Sequence, residues 1–71
     1  MPVYRQLAAI IRAQIESGEI PPGRAVPSER VLVQRYGVAP GTIKKALGLL
    51  RDEGLVETVI GRGVFVRQRN T

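Results

Sequence analysis

The sequence of 71 residues predicts a small, mainly α-helical domain with a small β-hairpin at its end. Three observations predict this fold class: three stretches with apolar residues at helical spacing, Pro and Gly residues that separate them, and two β-rich runs around a short glycine-containing turn. Hydrophobic residues make up 44% of the chain, which is enough for one core. We therefore expect a single domain over residues 1–71, ordered from about 3 to 67, with a tail or the start of a linker at 68–71.

The first predicted helix covers residues 3–17. Its apolar residues recur at spacings of three and four, and they are Leu7, Ile10, Ile11 and Ile15. This spacing is typical of a helix that packs one face against a core. Proline lacks the backbone N–H that a helix needs, so Pro21 and Pro22, which follow Gly18 closely, prevent the helix from continuing.

The second predicted helix begins after Ser28 and ends at Gly37. The Ser28 hydroxyl can accept a hydrogen bond from an open N–H of the first turn, and Glu29 is favoured at the positive end of the helix dipole. Glycine at the end of a helix adopts the left-handed conformation that terminates it. These signals predict a short helix over residues 29–36.

The third predicted helix begins at Pro40 and runs to about residue 53, before Gly54. Proline suits the first helical position because its φ angle is already helical and its missing N–H has no partner there. The apolar residues expected to face the core are Ile43, Ala46, Leu47 and Leu50. The connection to the second helix is very short.

The β-rich runs cover residues 55–60 and 64–67, and a turn at 61–63 predicts that they form a hairpin. Val26, which lies between Gly23 and Pro27, is a candidate for one short third strand at the hairpin's edge. Three helices followed by a hairpin, with a tight turn between the second and third helix, is the layout of a winged helix-turn-helix. In that layout the third helix enters the DNA major groove, and the hairpin loop, called the wing, contacts the adjacent backbone or minor groove.

The distribution of charge favours a polyanion as the partner. The formal net charge is +5. Residues 24–51 hold six basic residues and one acidic residue, a sum of +5, whereas residues 52–60 contribute −3 and residues 61–71 contribute +3. Two basic regions suit a module that contacts a nucleic-acid duplex at two places. From charge alone, a solvated surface with a positive sum is the alternative.

Composition also excludes several classes of function. The chain has no Cys and no His, which removes disulfides, thiol nucleophiles, imidazole bases and the usual zinc ligand sets. We therefore expect no enzymatic activity, no cofactor and no metal. The longest apolar run, residues 7–11, is too short to cross a membrane, and the N-terminus lacks the layout of a signal peptide. We expect no membrane partner and a location in the cytoplasm.

A second stripe on the third predicted helix lies opposite its core face. It has the same helical spacing and consists of Gly41, Lys44, Lys45 and Gly48. Two lysines framed by two residues without side chains would let a polyanion approach closely; plain solvated lysines are the alternative. Glycine at position 48 costs about 1 kcal/mol relative to alanine in a helix interior. Close approach of a partner would explain that cost, and sequence drift is the alternative explanation.

Five runs, in order along the chain, resemble the DNA-binding domain of gluconate-repressor (GntR-type) bacterial transcription regulators. They are residues 18–23, 26–30, 38–47, 53–56 and 61–66, and the resemblance extends from about Tyr4 to Val66. The resemblance implies sequence-preferring binding to double-stranded DNA, with a recognition helix at about 40–53 and a wing at 61–63. The DNA contacts that it implies are Ser28, Arg30, Thr42, Lys44, Gly61 and Arg62. The basic stripe adds Gly41 and Lys45 to these candidates.

The chain departs from the family pattern at two places that affect base recognition. Ala39-Pro40 stands where the family commonly has Ser-Arg, whose arginine typically contacts a guanine, so the family's usual operator preference is not transferred. Lys44 replaces an arginine, and an ammonium group recognises guanine less well than a forked guanidinium does. Specificity is therefore expected to be lower than usual in the family or to depend on Arg30, Lys45 and Arg62.

Two further expectations concern partners. A winged helix can also serve as a protein-interaction module without direct DNA recognition, in which case exposed apolar residues such as Val33 and Leu49 would be the contacts. Regulators of this family join the DNA-binding domain to a larger C-terminal domain, which 71 residues cannot contain, so the chain is either a piece of such a regulator or a short relative that stands alone. We expect a monomer in isolation, and a dimer on DNA if a C-terminal domain follows.

Overall fold

The computed structural model describes residues 2–68. Three helices are followed by one antiparallel hairpin, and the elements are α1 (Val3–Glu16), α2 (Glu29–Tyr36), α3 (Pro40–Asp52), β1 (Val56–Val59) and β2 (Gly63–Val66). The predicted order of three helices and a hairpin is confirmed, and α3 ends one residue earlier than expected. Residues 69–71 of the predicted tail lie outside the described residues. Within residues 2–68, every helix is too short or too polar to cross a membrane.

The ends of α2 and the start of α3 follow from local chemistry. The Ser28 hydroxyl oxygen accepts a hydrogen bond from the Val31 N–H at 3.3 Å, which caps the first turn of α2. Gly37 ends α2 with a φ of 66°, a left-handed conformation that favours glycine. Ala39 offers no side-chain cap to α3, and Pro40 takes the first helical position as predicted.

One hydrophobic core joins all the elements. Its ten buried members are Leu7, Ala8, Ile11, Val26, Leu32, Ile43, Ala46, Leu50, Val56 and Val66. The most extensive helix pairing is between α1 and α3, and α2 also packs on α3. The third helix also contacts β1, so three elements hold it and the rest of its surface faces solvent.

The predicted core stripe of α1 is wrong at one position. Ile10 is 43% exposed, whereas Ala8 is fully buried in its place. Successive helical residues are about 100° apart, so Ile10 lies beyond the edge of the face that Leu7 and Ile11 present to the core. It lies on the same side of the helix as Val3, which is 53% exposed.

The hairpin pairs Val56 with Val66 and Val59 with Gly63 at its two ends. The short strand expected near Val26 is a single bridge between Ala25 and Phe65. Val26 itself is buried, and its N–H donates to the Val64 carbonyl at 2.9 Å. The pairing cannot extend along this segment because Pro27 has no N–H to donate.

The end of β2 is hydrogen-bonded to two other parts of the chain. The Val66 N–H donates to the Arg24 carbonyl and the Gly23 N–H donates to the Val66 carbonyl, both at 2.9 Å. The Arg67 N–H donates to the Leu55 carbonyl at 3.0 Å. The strand is thus joined to the loop after α1 and to the residue that precedes β1.

Candidate nucleic-acid interface

Three residues of the basic stripe predicted on α3 are exposed, and the fourth, Gly48, is half-buried. Gly41, Lys44 and Lys45 are exposed, and Thr42 is half-buried. Ile43, Ala46 and Leu50 are buried on the opposite side of the helix, as predicted. Leu47 is only half-buried. The helix therefore presents two lysines to solvent while its other side anchors it to the core.

The two lysines lie toward different sides of α3, because consecutive helical residues are about 100° apart. Lys45 extends toward α1, where its Nζ lies 5.7 Å from the centroid of the Tyr4 ring. Lys44 instead lines an open cleft of about 300 Å³ between α3 and the hairpin, together with Glu29 at the start of α2. The helix thus carries a cation along each of its two flanks.

The cleft between α3 and the hairpin, which we call the α3–hairpin cleft, contains a second cation. Arg51 lines it, and one of its Nη atoms donates to the Thr58 hydroxyl on β1 at 3.4 Å. Gly48 also lines the cleft, and a Cβ atom added there would meet only the other Arg51 Nη, at 3.8 Å. The hydrogen bond between Arg51 and Thr58 links α3 to the hairpin. Because Gly48 has no side chain, the wall of the cleft between Lys44 and Arg51 is bare.

Arg30 and Arg62 place further positive charge on α2 and on the hairpin. Both side chains are exposed, and within residues 2–68 neither of them nor Lys44 forms a hydrogen bond or an ion pair. Arg30 therefore forms no ion pair with a carboxylate among those residues. Ser28 is exposed beside the same helix start, with its hydroxyl oxygen engaged in capping α2.

The wing is a tight turn between β1 and β2. The Arg62 N–H donates to the Val59 carbonyl at 3.0 Å, and Gly61 and Gly63 have φ angles of 80° and 118° that favour glycine. Ile60 at the tip is 96% exposed. The turn therefore exposes an apolar side chain next to the backbone of Gly61 and the charge of Arg62.

A cluster of side chains between α1 and α3 was not predicted from the sequence. The Arg5 Nε donates to the Tyr4 hydroxyl at 3.3 Å, and the Lys45 ammonium lies near the same ring. The hydrogen bond from Arg5 and its charge, with a smaller effect from Lys45, hold the pKa of Tyr4 below its usual value of 10.0 against a weaker effect of desolvation. Only the aromatic residue and the basic residue after it could have indicated this cluster.

A bidentate ion pair holds the far ends of α1 and α3 together. Arg12 donates to both carboxylate oxygens of Glu53, from Nε at 2.8 Å and from Nη2 at 2.7 Å. The hydrogen bond to Glu53 raises the pKa of Arg12. Because Glu53 neutralises it, Arg12 is not one of the free cations of the surface.

The arrangement suits binding of an anionic surface. Among residues 2–68, no polar or charged side chain is buried, so all of the ionisable groups described lie in contact with solvent. Cations without an ion pair among those residues include Arg30 on α2, Lys44 on α3 and Arg62 on the wing. Val33 and Leu49, the predicted contacts of a protein-interaction module, are half-buried and pack against the core, so that prediction of their exposure is wrong.

Comparison with known proteins identifies the family. A family model described as bacterial regulatory proteins, gntR family, matches residues 3–66. The chain belongs to this family. This gntR domain is 40% identical over 67 residues to the mannosyl-D-glycerate transport/metabolism system repressor MngR of Escherichia coli (strain K12), covering 94% of the chain and 28% of the repressor. It is 38% identical over 66 residues to the HTH-type transcriptional repressor NagR of Bacillus subtilis (strain 168), covering 93% of the chain and 27% of NagR.

Solved structures share the fold of this gntR domain. The DNA-binding domain of AraR in complex with operator ORX1 superposes with a TM-score of 0.90 at 41% identity, over 93% of this chain and 80% of that one. A GntR family transcriptional regulator from Listeria monocytogenes superposes with a TM-score of 0.92 at 29% identity, over 97% of this chain and 60% of that one. The winged helix-turn-helix and the family resemblance are confirmed. The eight predicted DNA contacts stay predictions, and the chain spans about a quarter of the length of MngR and NagR.

Proposed function

We propose that this gntR domain binds double-stranded DNA with sequence preference and serves as the DNA-binding part of a bacterial transcription regulator. The observation that carries this proposal is its similarity, at 41% identity and a TM-score of 0.90, to the DNA-binding domain of AraR in complex with its operator. In the proposed complex, α3 lies in the major groove and the wing at residues 61–63 contacts the adjacent backbone or minor groove.

The free cations supply the attraction to the DNA backbone. Arg30, Lys44 and Arg62 extend from three different elements, and none of them is neutralised by an ion pair within the described part of the chain. Each cation that neutralises a phosphate releases condensed counterions, so affinity falls as salt rises. Phosphate contacts fix the register of the protein on the duplex without recognising its sequence.

Base recognition falls to the exposed residues at the start of α3 and on its flanks. Pro40 has no hydrogen-bonding side chain, and Gly41 has none at all, so the first turn of α3 offers only the Thr42 hydroxyl. Ser28 caps α2 and would contact a phosphate at the same time. We assign base discrimination mainly to Arg30 and Arg62, and we expect it to be weaker than discrimination by a bidentate arginine at position 40.

The test is selection of bound duplexes from a random pool, followed by fluorescence anisotropy titration of the selected duplex over a range of salt concentrations. We expect a log–log salt slope of several units, and Lys44→Ala and Arg62→Ala should each reduce it by about one unit. Arg12→Gln is the matched control, because it removes one positive charge that Glu53 already neutralises. Salt-independent binding, or wild-type affinity in both alanine variants, would contradict the proposal.

We further propose that the isolated domain is a monomer that binds a single half-site weakly. Dimerisation on DNA would come from a C-terminal domain of a longer regulator, acting in the cytoplasm. MngR and NagR are named repressors, which supports repression as the outcome of binding. Sedimentation equilibrium checks the monomer, and a stable dimer at micromolar concentration would contradict it.

A further inference from the structure

We propose that Tyr4, Arg5 and Lys45 form a binding site for a phosphate of the DNA backbone, beside the second turn of α3. We call this group the Tyr4 cluster. The inference rests on the proposed function and adds a DNA contact from α1. The charge distribution of the sequence did not indicate a DNA contact in this part of the chain. Residues 1–23 have a net charge of zero, which conceals the cation Arg5 at the N-terminal end of that helix.

The cluster brings two cations from different helices to one aromatic ring. The Arg5 Nε donates to the Tyr4 hydroxyl at 3.3 Å, and its guanidinium carbon lies 6.0 Å from the ring centroid. The Lys45 Nζ lies 5.7 Å from the same centroid. A cation within about 6 Å of an aromatic ring is attracted to its face, so Tyr4 holds a residue of α1 and a residue of α3 close together.

The charge of the cluster is uncompensated within the described chain. Neither Arg5 nor Lys45 forms an ion pair with residues 2–68, and the charged groups that lower the pKa of Tyr4 are these two cations. The first turns of α1 and α3 contain no acidic residue, whereas Glu16 lies in the last turn of α1. Positive charge is therefore concentrated at one end of the helix pair.

The relative direction of α1 and α3 places this charge next to the predicted recognition surface. Tyr4 contacts Lys45 near one end of the pair and Arg12 contacts Glu53 near the other, and both contacts join residues 41 apart. The two helices therefore run in the same direction, and the first turn of α1 lies beside the second turn of α3. The Tyr4 cluster lies about one turn from the N-terminal residues with which a recognition helix contacts base edges.

The chemistry of the cluster matches a phosphodiester. Arginine, lysine and the phenol together offer guanidinium, ammonium and hydroxyl donors, the groups that bind phosphate oxygens. Because the Tyr4 oxygen accepts from Arg5, its own proton is free to donate to an anion, and the bond it accepts polarises the hydroxyl and strengthens that donation. Such contacts position the protein on the duplex and do not discriminate between bases.

Within the cluster, Tyr4 also acts as a positioning residue for Lys45. A flexible lysine loses rotamer entropy when it is fixed on DNA, and the aromatic ring restricts the ammonium beforehand. An exposed cation–π contact corresponds to about a two- to fivefold effect on an equilibrium constant. We therefore expect Tyr4 to strengthen DNA binding in part through Lys45.

The experiment measures anisotropy of the selected duplex and of a mixed-sequence duplex over a range of salt concentrations. Arg5→Gln should weaken binding to both duplexes by the same factor and reduce the salt slope by about one unit. Tyr4→Ala should weaken binding about two- to fivefold. Because Tyr4 acts partly through Lys45, the double variant Tyr4→Ala/Lys45→Ala should lose less than the product of the single losses.

Two controls isolate the site from stability and net charge. Tyr4 is half-buried and packs against the core, so circular dichroism checks the fold of each variant, and Tyr4→Phe retains the ring with its Lys45 coupling while removing the hydroxyl. Arg12→Gln also removes one positive charge from α1, but a charge that is paired with Glu53, and it should retain the wild-type salt slope. An unchanged slope in Arg5→Gln, an equal fall in Arg12→Gln, or multiplicative losses at Tyr4 and Lys45 would overturn the inference. If the wild-type domain binds neither duplex, the proposed function itself fails.

Discussion

Replacing Gly48 with alanine separates helix stability from DNA contact at one position of α3. The residue lies inside the helix and is not among the glycines with a positive φ. A Cβ atom there meets only the flexible end of Arg51 at 3.8 Å, an ordinary van der Waals distance, so the methyl group fits without displacing the backbone. The stability change should therefore equal the difference in helix propensity, a gain of about 1 kcal/mol.

The gain is measurable in a domain of this size. A stabilisation of about 1 kcal/mol raises Tm by roughly 4–8 °C, which thermal denaturation followed by circular dichroism resolves. Gly37→Ala is the matched control, because a Cβ there likewise fits without a clash and meets no atom within 4 Å, yet the φ of Gly37 is 66°. The left-handed conformation costs roughly 1–2 kcal/mol for a residue with a side chain, so this variant should melt at a lower temperature.

The same variant decides why the glycine is present. If a DNA strand lies against the α3–hairpin cleft, the added methyl group of Gly48→Ala weakens duplex binding even though it stabilises the fold. If the glycine reflects sequence drift, affinity stays at the wild-type value while Tm rises. A Tm that stays constant or falls would refute the reasoning from helix propensity and open space.

Three further predictions concern capping, packing and ionisation. Ser28→Ala should lower the free energy of unfolding by about 1 kcal/mol in thermal denaturation. Ser28→Asp should retain the cap, and its charge should weaken DNA binding through repulsion if a phosphate lies nearby. Equal DNA affinity in the two variants would contradict the position of Ser28 beside a phosphate. Ile11→Ala should cost about 2–5 kcal/mol, since Ile11 is fully buried, and Ile10→Ala much less; equal losses in urea denaturation would contradict the observed face of α1. In a Tyr36→Phe background, ultraviolet titration should place the Tyr4 pKa below 10.0, and Arg5→Gln should move it back up. Because folding lowers the pKa of Tyr4, any stabilisation of the fold linked to this ionisation appears as pH rises through the pKa of the folded state. An unchanged Tyr4 titration midpoint in Arg5→Gln would argue against the hydrogen bond from Arg5 to the Tyr4 hydroxyl.

Much of the fold was predictable because its boundaries depend on local chemistry. Ser28, Gly37 and Pro40 act on the backbone within one helical turn, so each fixes an element end whatever packs around it. The two β-rich runs after residue 54, separated by a turn that contains Gly61 and Gly63, likewise indicate a hairpin without reference to the helices. These are the features that the structure places where the sequence indicated.

The errors arise where packing decides between similar local patterns. Ile10 and Ala8 both fit a helical period, and only the approach of α3 determines that the smaller side chain is buried. Leu49 is covered for the same reason, since it packs against the core that α1 and α3 share.

The candidate site was predicted in part. The basic stripe on α3 follows from helical spacing alone, and the structure exposes its members Gly41, Lys44 and Lys45, whereas Gly48 is half-buried. The Tyr4 cluster joins residues 41 apart, and no local pattern indicates which residue of α3 lies beside Tyr4. A segment charge of zero also hid Arg5, because a sum over residues contains no information about which end of a helix each charge occupies.

The hydrogen bonds at the end of β2 have a mechanical consequence. A force applied to the chain at Gln68 acts along a strand whose residues are bonded to Arg24 on one side and to Leu55 on the other. Such a load shears several bonds together rather than opening them one at a time, so the strand resists being pulled free. Because the Leu55 N–H donates to the carbonyl of Leu50 in α3 at 3.0 Å, tension on the strand is transmitted to that end of the helix.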